Sequence, residues 1–213
     1  MPAAAAGKRP QAPQDPLGLA DWRREVGELY ASVRCCEDPA QAHALWRERR
    51  DRLFCEHPHS PLAADDPLRR SGLPYWPYDP KLRFALAVEA VDAPSSHVLE
   101  TGAGESTRLC QVGWLSLPEP LGGRLAVWWL AQYGGGLFVP LRDETAGALS
   151  YGAGRYLIDT AKGADLGLSD GRLIVDLNFA YHPSCRYDPR WLCPLAPREN
   201  VLAAPVLAGE RLA

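Results

Sequence analysis

KLRFALAVEA, residues 81–90, marks the point where the hydrophobic period of the chain changes. Leu82, Phe84, Leu86, Val88 and Ala90 alternate with Lys81, Arg83, Ala85, Ala87 and Glu89, the pattern of a half-buried strand. Upstream, apolar residues fall three or four apart instead. Trp22, Val26, Leu29, Tyr30 and Val33 share one helical face. A second helix opens at Asp38, which can cap it, with Pro39 in the first turn and Gln41 at the capping-box position. Ala42, Leu45, Trp46, Leu53 and Phe54 form its apolar stripe. The charged run RERRDR at 47–52 reads as a solvated face of mixed sign.

Downstream, further strands are predicted at 96–100, 107–117, 124–132, 136–141, 154–159, 172–179 and 201–206. Gly122-Gly123, the glycine run 134–136 and Ser169-Asp170-Gly171 supply turns between them. Such short spacing leaves no room for crossover helices, so the sheet should be antiparallel. The expected fold is α+β and mainly β: two N-terminal helices packed on an antiparallel β-barrel or sandwich, with a Pro-rich C-terminal closing segment. A disordered lead over 1–18 would precede a single domain over 19–213, helical at 19–56 and β-rich at 80–213.

At 213 residues and 46% hydrophobic, the chain is long enough for one substantial core. A net charge of −3 and a pI near 6.0 offer no broad basic field, which argues against nucleic acid as a partner. No window reaches the roughly 18 apolar residues of a spanning helix, and the N-terminus lacks a secretory apolar run, so a cytoplasmic protein without membrane contact is expected. In that compartment the six cysteines should be mostly reduced.

Unusual residues concentrate between Trp128 and Glu199. Strand alternation puts Arg155 with Leu157 on one face and Tyr156 with Ile158 on the other, so a guanidinium must enter an apolar setting. A charge held there costs several kcal/mol unless partnered, so Arg142 or Arg155 should pair with Asp143, Asp159 or Asp176. Such pairs serve either a structural network or a ligand site. Gly152 and Gly154 lack the strand–glycines–helix setting of a dinucleotide loop and fit a bulge, a tight turn or close backbone approach. His57 and His59 lack further ligands at metal spacing. In DLNFAYHPSCRYDPRWLCPLAPREN, residues 176–200, His182, Cys185 and Cys193 form H-x2-C-x7-C. These thiols read as structural, as weak metal ligands with His182, as a disulfide, or as a reactive thiol at Cys185.

RDETAGALSYGAGRYL, D-x-N-F-A-Y, P-S-C, C-P-L-A-P and E-N occur in one order between Arg142 and Gly209, and WRERRDRLFCEHPHSPL and YWPYDPKLRF stand upstream. Together they resemble the bacterial and archaeal family called domain of unknown function 1684. The resemblance implies no activity but directs attention to Arg142, Asp143, Gly147, Tyr151, Gly152, Gly154, Arg155, Asp176, Asn178, Tyr181, Pro183, Cys185, Cys193, Pro194, Glu199 and Asn200. His182 departs from the family pattern, in which asparagine is more usual.

Two functions are expected to compete. In the first, a pocket binds a small anionic or polar molecule, with enzyme and binder left open. Arg142 and Arg155 would hold a carboxylate or phosphate, while Asp143, Tyr151, Tyr156, Asn178, Tyr181, Glu199 and Asn200 would complete the lining. Asp176 would be the acid or base and Cys185 a second catalytic candidate. In the second, the same residues staple a non-catalytic structural or protein-interaction module. Prolines 183, 189, 194 and 197 would then rigidify a closing segment. No cofactor is predicted: five histidines and one methionine without an attachment motif give a flavin or haem no evident anchor.

Overall fold

The computed structural model describes residues 15–100, 106–191 and 193–213. The expected disordered lead lies outside the described residues as far as 14, but its last part is helical. Helix α1 spans Pro16–Arg34, capped by Asp15, whose carboxylate accepts the Gly18 N–H at 3.0 Å. Helix α2 spans Pro39–Glu56, and Asp38 caps it through the Gln41 N–H at 2.9 Å. A single short turn of helix, α3, covers Leu68–Ser71.

The strands are β1 Arg83–Leu86, β2 Ser96–Glu100, β3 Ser106–Ser116, β4 Arg124–Leu130, β5 Leu137–Leu141, β6 Arg155–Asp159, β7 Leu168–Ser169 and β8 Arg172–Asp176. All ladders are antiparallel. They form one sheet in the order β2-β3-β4-β5-β6 and a second in the order β1-β8-β7. Leu82, Phe84 and Leu86 of the smaller sheet side and Leu125, Val127, Val139 and Leu141 of the larger one meet in a common core, with Leu173, Val175 and Val206. Among the described residues only single bridges, Glu89 to Trp114 and Tyr156 to Tyr181, link the two sheets. The closed barrel is therefore not observed.

Three sequence expectations need correction. The alternating stretch 81–90 makes a strand only over Arg83–Leu86, because its partner β8 starts at Arg172 and leaves nothing to pair beyond the Leu86–Leu173 position. Instead β8 turns into β7 through Asp170 and Gly171, whose φ angles of 50° and 72° suit a tight hairpin. Residues 201–206 are not a strand: Pro205 has no N–H, and the Val206 N–H goes to a carboxylate. On β6 the alternation is interrupted. The β5–β6 register shifts beside Pro140, and Leu157 and Ile158 both join the common core while Tyr156 packs against Phe138 and Trp128.

The helices pack through Leu29, Tyr30, Val33, Ala42, Trp46, Leu53 and Phe54 onto Leu73, Tyr75, Ala164 and Phe179. The fully buried Trp46 ring lies 5.4 Å from Tyr75 and 5.1 Å from Phe179, so aromatic contacts bind the helical layer to the end of β8.

Candidate functional site

Asp143 follows β5 and Arg155 opens β6, so the turn between these strands brings them together. Gly154 has φ 94°, and a Cβ there would stand 2.5 Å from the Leu141 carbonyl oxygen; the glycine is needed for this close approach. Arg155 is fully buried, and its Nη2 donates to Asp143 Oδ1 at 3.1 Å and to the Val206 carbonyl at 2.9 Å. Nη1 donates to the carbonyls of Glu210, at 3.2 Å, and Ala208. Asp143 in turn accepts the Val206 N–H at 2.7 Å and the Thr145 hydroxyl at 3.0 Å. Burial lowers the Arg155 pKa and Asp143 opposes that shift. Both terminal nitrogens are thus committed to the protein, and the pair pins the C-terminal segment against β6 rather than offering a fork to an anion.

Glu210 is a second hub, with no exposed surface on its side chain. Its carboxylate accepts from Arg50 Nη2 at 3.0 Å, from the His182 N–H at 2.8 Å and from the Tyr187 hydroxyl. Burial raises the Glu210 pKa, while Arg50 and the His182 N–H work against the rise. The Arg50 guanidinium lies 4.4 Å over Phe54 and 5.0 Å over Tyr181. The His182 ring is neutral by geometry: Nε2 accepts the Tyr151 N–H at 3.0 Å, which a protonated nitrogen cannot do. Burial, then Arg155, Arg186 and Arg50, hold its pKa down to about 2. Glu210 lies 3.7 Å from Nδ1 and would favour the charged ring, but its oxygens already serve three other donors.

Beside this hub lies a cavity of about 60 Å³. Trp22, Val26, Leu29, Leu53, Phe54, Ala164 and Pro183 give it apolar walls, and Tyr30, Arg50, Tyr156, Lys162, Tyr181, His182 and Ser184 give it polar groups. Arg50 and Lys162 each have an acidic partner, Glu210 and Asp159, with Lys162 Nζ at 2.8 Å from Asp159. The Tyr156 hydroxyl donates to the Pro194 carbonyl at 2.5 Å. That of Tyr181 has no hydrogen-bond partner among the described residues, and burial pushes its pKa well up, so it stays a neutral phenol. Small polar matter with one acceptor and one apolar face fits this lining.

The remaining sequence candidates scatter. Arg142 is exposed, and only its backbone pairs, with Asn200 and Leu202. Asp176 is buried under the Arg83 guanidinium at 3.2 Å and accepts the Asn178 N–H and side-chain amide at 3.0 and 2.7 Å. Burial raises the Asp176 pKa against these bonds. It shapes the end of β8 and does not line this cavity, and Asn178 also ties down the Asp79 backbone at 2.8 and 2.9 Å. Asn200 accepts from Trp128 Nε1 at 2.7 Å and donates to the Ala126 and Pro140 carbonyls, sewing β4 to β5. Glu199 faces His97 at 3.2 Å. Tyr151 stands over Cys185, hydroxyl to sulfur 4.0 Å, while both His182 nitrogens face elsewhere and not the thiols.

Arg50, Lys162, Tyr30 and Glu210 are the site residues that sequence reasoning missed. Arg50 lies one helical turn after Trp46, so the period that placed Trp46 inside also placed Arg50 there; it is not part of a solvated face. Glu210 is the lone acid of the apolar tail VLAAPVLAGE, a signal of buried charge.

A larger groove of about 390 Å³ opens between α1 and α2, where Asp21, Glu25 and His57 bring ligand atoms within 4.8 Å of one another. His57 Nδ1 accepts the His59 N–H at 3.0 Å, which leaves the proton on Nε2. In that tautomer the ring has no lone pair to give a cation in the groove.

A family model described as "Protein of unknown function (DUF1684)" matches residues 70–211. The chain belongs to the DUF1684 family. No curated protein matches it. Among solved structures, the NMR solution structure of an uncharacterized protein of Haloarcula marismortui is similar, with 36% identity, a TM-score of 0.55, and coverage of 78% of this chain and 90% of that one. The DUF1684 match contains Asp143, Arg155, Tyr181 and Glu210, whereas Tyr30 and Arg50 precede it. The cavity is therefore built half from the DUF1684 segment and half from the helices before it.

Proposed function

We propose that the protein binds a small polar or anionic molecule in the cavity between α1, α2 and β6, with the Asp143–Arg155 and Arg50–Glu210 networks as its rigid frame. The observation that carries this reading is the Tyr181 hydroxyl, which has no hydrogen-bond partner among the described residues, in a cavity that the Lys162 side chain also lines. Preformed pockets with apolar walls and a few convergent polar groups are where small ligands bind. On this reading the two sheets act as a single sandwich-like frame in one domain, and the free thiols fit a protein that works in the cytoplasm.

A second reading is a non-catalytic structural or interaction module, favoured by the saturation of Arg155 and Asp143 with protein partners. The two separate in one experiment. Purified protein is equilibrated with a metabolite mixture, desalted and denatured, and released small molecules are identified by mass spectrometry. Binding in the cavity predicts a polar compound retained by the wild type and lost in the Tyr181→Phe, Lys162→Met double variant. Equal release from both, or none from either, rejects the cavity as a binding site.

A further inference from the structure

The groove between α1 and α2 holds a buried donor that the protein leaves unsatisfied. The His57 side chain is only 7% exposed, and its Nε2 has no hydrogen-bond partner among the described residues. The ring is held in place, because Nδ1 accepts the His59 N–H at 3.0 Å and the ring packs edge-on against Trp22 at 5.2 Å. Its Nε2–H therefore stays on the groove side, where Asp21 Oδ2 stands 3.6 Å away, too far for a hydrogen bond. A buried donor without an acceptor is costly, so this one marks a place for an acceptor from outside the chain.

The neighbouring charges decide what carries that acceptor. Glu25, Glu28 and Glu56 line the groove, are exposed, and have no ion-pair partner among the described residues. The two arginines of the groove are occupied elsewhere, Arg52 by Glu48 at 2.8 Å and Arg49 by the Ser32 hydroxyl at 2.8 Å, and Asp21 keeps one oxygen on Arg24. The uncommitted charge is negative, so the ligand that fits carries a cation. An anionic acceptor would be repelled by Asp21 and Glu25 beside the same N–H, and an ammonium or a metal ion has no lone pair to offer it. A hydroxyl meets both demands, since its oxygen accepts the His57 N–H while its proton goes to a carboxylate. Asp21, Glu25 and His57 have ligand atoms within 4.8 Å of one another, a span that one oxygen bridges with two hydrogen bonds of about 2.8 Å.

We propose that this groove binds a small amino alcohol of amino-sugar size, with a hydroxyl between His57 Nε2 and Asp21 and the ammonium at Glu25 and Glu28. The two glutamates are three positions apart on α1 and so share one helix face. Leu29 and Leu53 are buried beneath the groove and give the carbon skeleton an apolar floor, and the volume of about 390 Å³ suits a ligand of this size. Those two leucines also line the cavity beside Tyr181, but the polar groups of the two sites are separate.

Glucosamine and glucose differ in the ammonium and otherwise share their hydroxyls, so the pair tests the reading against a groove that holds only water. Each is titrated into the 15N-labelled full chain at pH 7 while backbone amide shifts are followed. Glucosamine should give saturable shifts along residues 21–29 and at His57, and glucose should bind on the order of tenfold more weakly. The Glu25→Gln, Glu28→Gln double variant changes only exposed side chains and should lose glucosamine affinity on the order of tenfold. His57→Phe should weaken both sugars, because it removes the donor that they share. Equal binding of the two sugars, or glucosamine binding that survives the double variant, would overturn the proposal. Shifts that never saturate with glucosamine would overturn it as well, leaving a groove that holds water.

Discussion

Two buried arginines, Arg155 and Arg50, bond to the same glutamate and do different work. Arg155 has four acceptors for its two terminal nitrogens and no exposed surface. Arg50 gives one nitrogen to Glu210 and spreads the rest of its guanidinium over Phe54 and Tyr181, beside a cavity. The difference teaches how to sort buried polar residues. A group whose terminal nitrogens are all taken by backbone carbonyls and a buried carboxylate locates chain, while a group beside open volume and a phenol that has no partner among the described residues can accept something more.

The sharpest way to break this contrast is to remove a saturated partner. Asp143→Ala would leave the Arg155 charge buried with carbonyls alone and free the Val206 N–H. An uncompensated buried charge costs about 3–5 kcal/mol, a large share of the stability of a domain this size. Urea denaturation should show the midpoint falling by a corresponding amount with the slope retained. A loss below about 1 kcal/mol would mean that Asp143 and Arg155 are not each other's essential partner, and the structural assignment of the pair would fail.

A second prediction uses pH to separate the hub from the staple. His182 is neutral when folded, with a pKa held to about 2 against an ordinary value of 6.5. The unfolded state therefore binds one proton more than the folded state between those values. The stabilisation is present above pH 6.5 and is lost as pH falls, at about 1.4 kcal/mol per pH unit. His43, held to about 4 by burial and Arg47 against its bond to the Asn178 carbonyl, adds a similar loss between 6.5 and 4. The raised carboxyls of Glu210 and Asp176 act in the opposite sense. A variant difference isolates the ring: His182→Asn keeps an acceptor for the Tyr151 N–H, and its stability should decline less steeply from pH 6.5 to 4.5, by about one proton. Parallel curves for the two proteins would show that the ring charges without cost.

Much of the frame was legible because it follows from period and turn chemistry. Asp38 before Pro39, the alternation near Phe84 and the Asp170-Gly171 turn each act within a few residues, and each was found where expected. Strand ends were not legible, because β1 stops where β8 runs out, a fact about a segment ninety residues away. The site was half legible for the same reason. The Asp143–Arg155 pair was legible only as one of the combinations of Arg142 or Arg155 with Asp143, Asp159 or Asp176. Nothing local told Arg142 from Arg155, and the cavity required Tyr30 and Arg50 from helices that the second half of the chain could not reveal.

Arg142 supplies the smallest effect and the cleanest control. It precedes Asp143 directly, and the sequence offered it as an equal partner for a carboxylate, yet its side chain is exposed. What matters at this position is backbone: the Arg142 N–H donates to the Asn200 carbonyl at 2.9 Å, and the Leu202 N–H donates to the Arg142 carbonyl at 2.8 Å. Arg142→Ala keeps both bonds and removes only a solvated guanidinium, so the denaturation midpoint should stay within about 0.5 kcal/mol of the wild type. Ligand retention should likewise be unchanged, since the residue lines neither cavity. A loss comparable to that of Asp143→Ala would mean that the guanidinium finds a buried partner, and the sorting of these arginines by saturation would have to be abandoned.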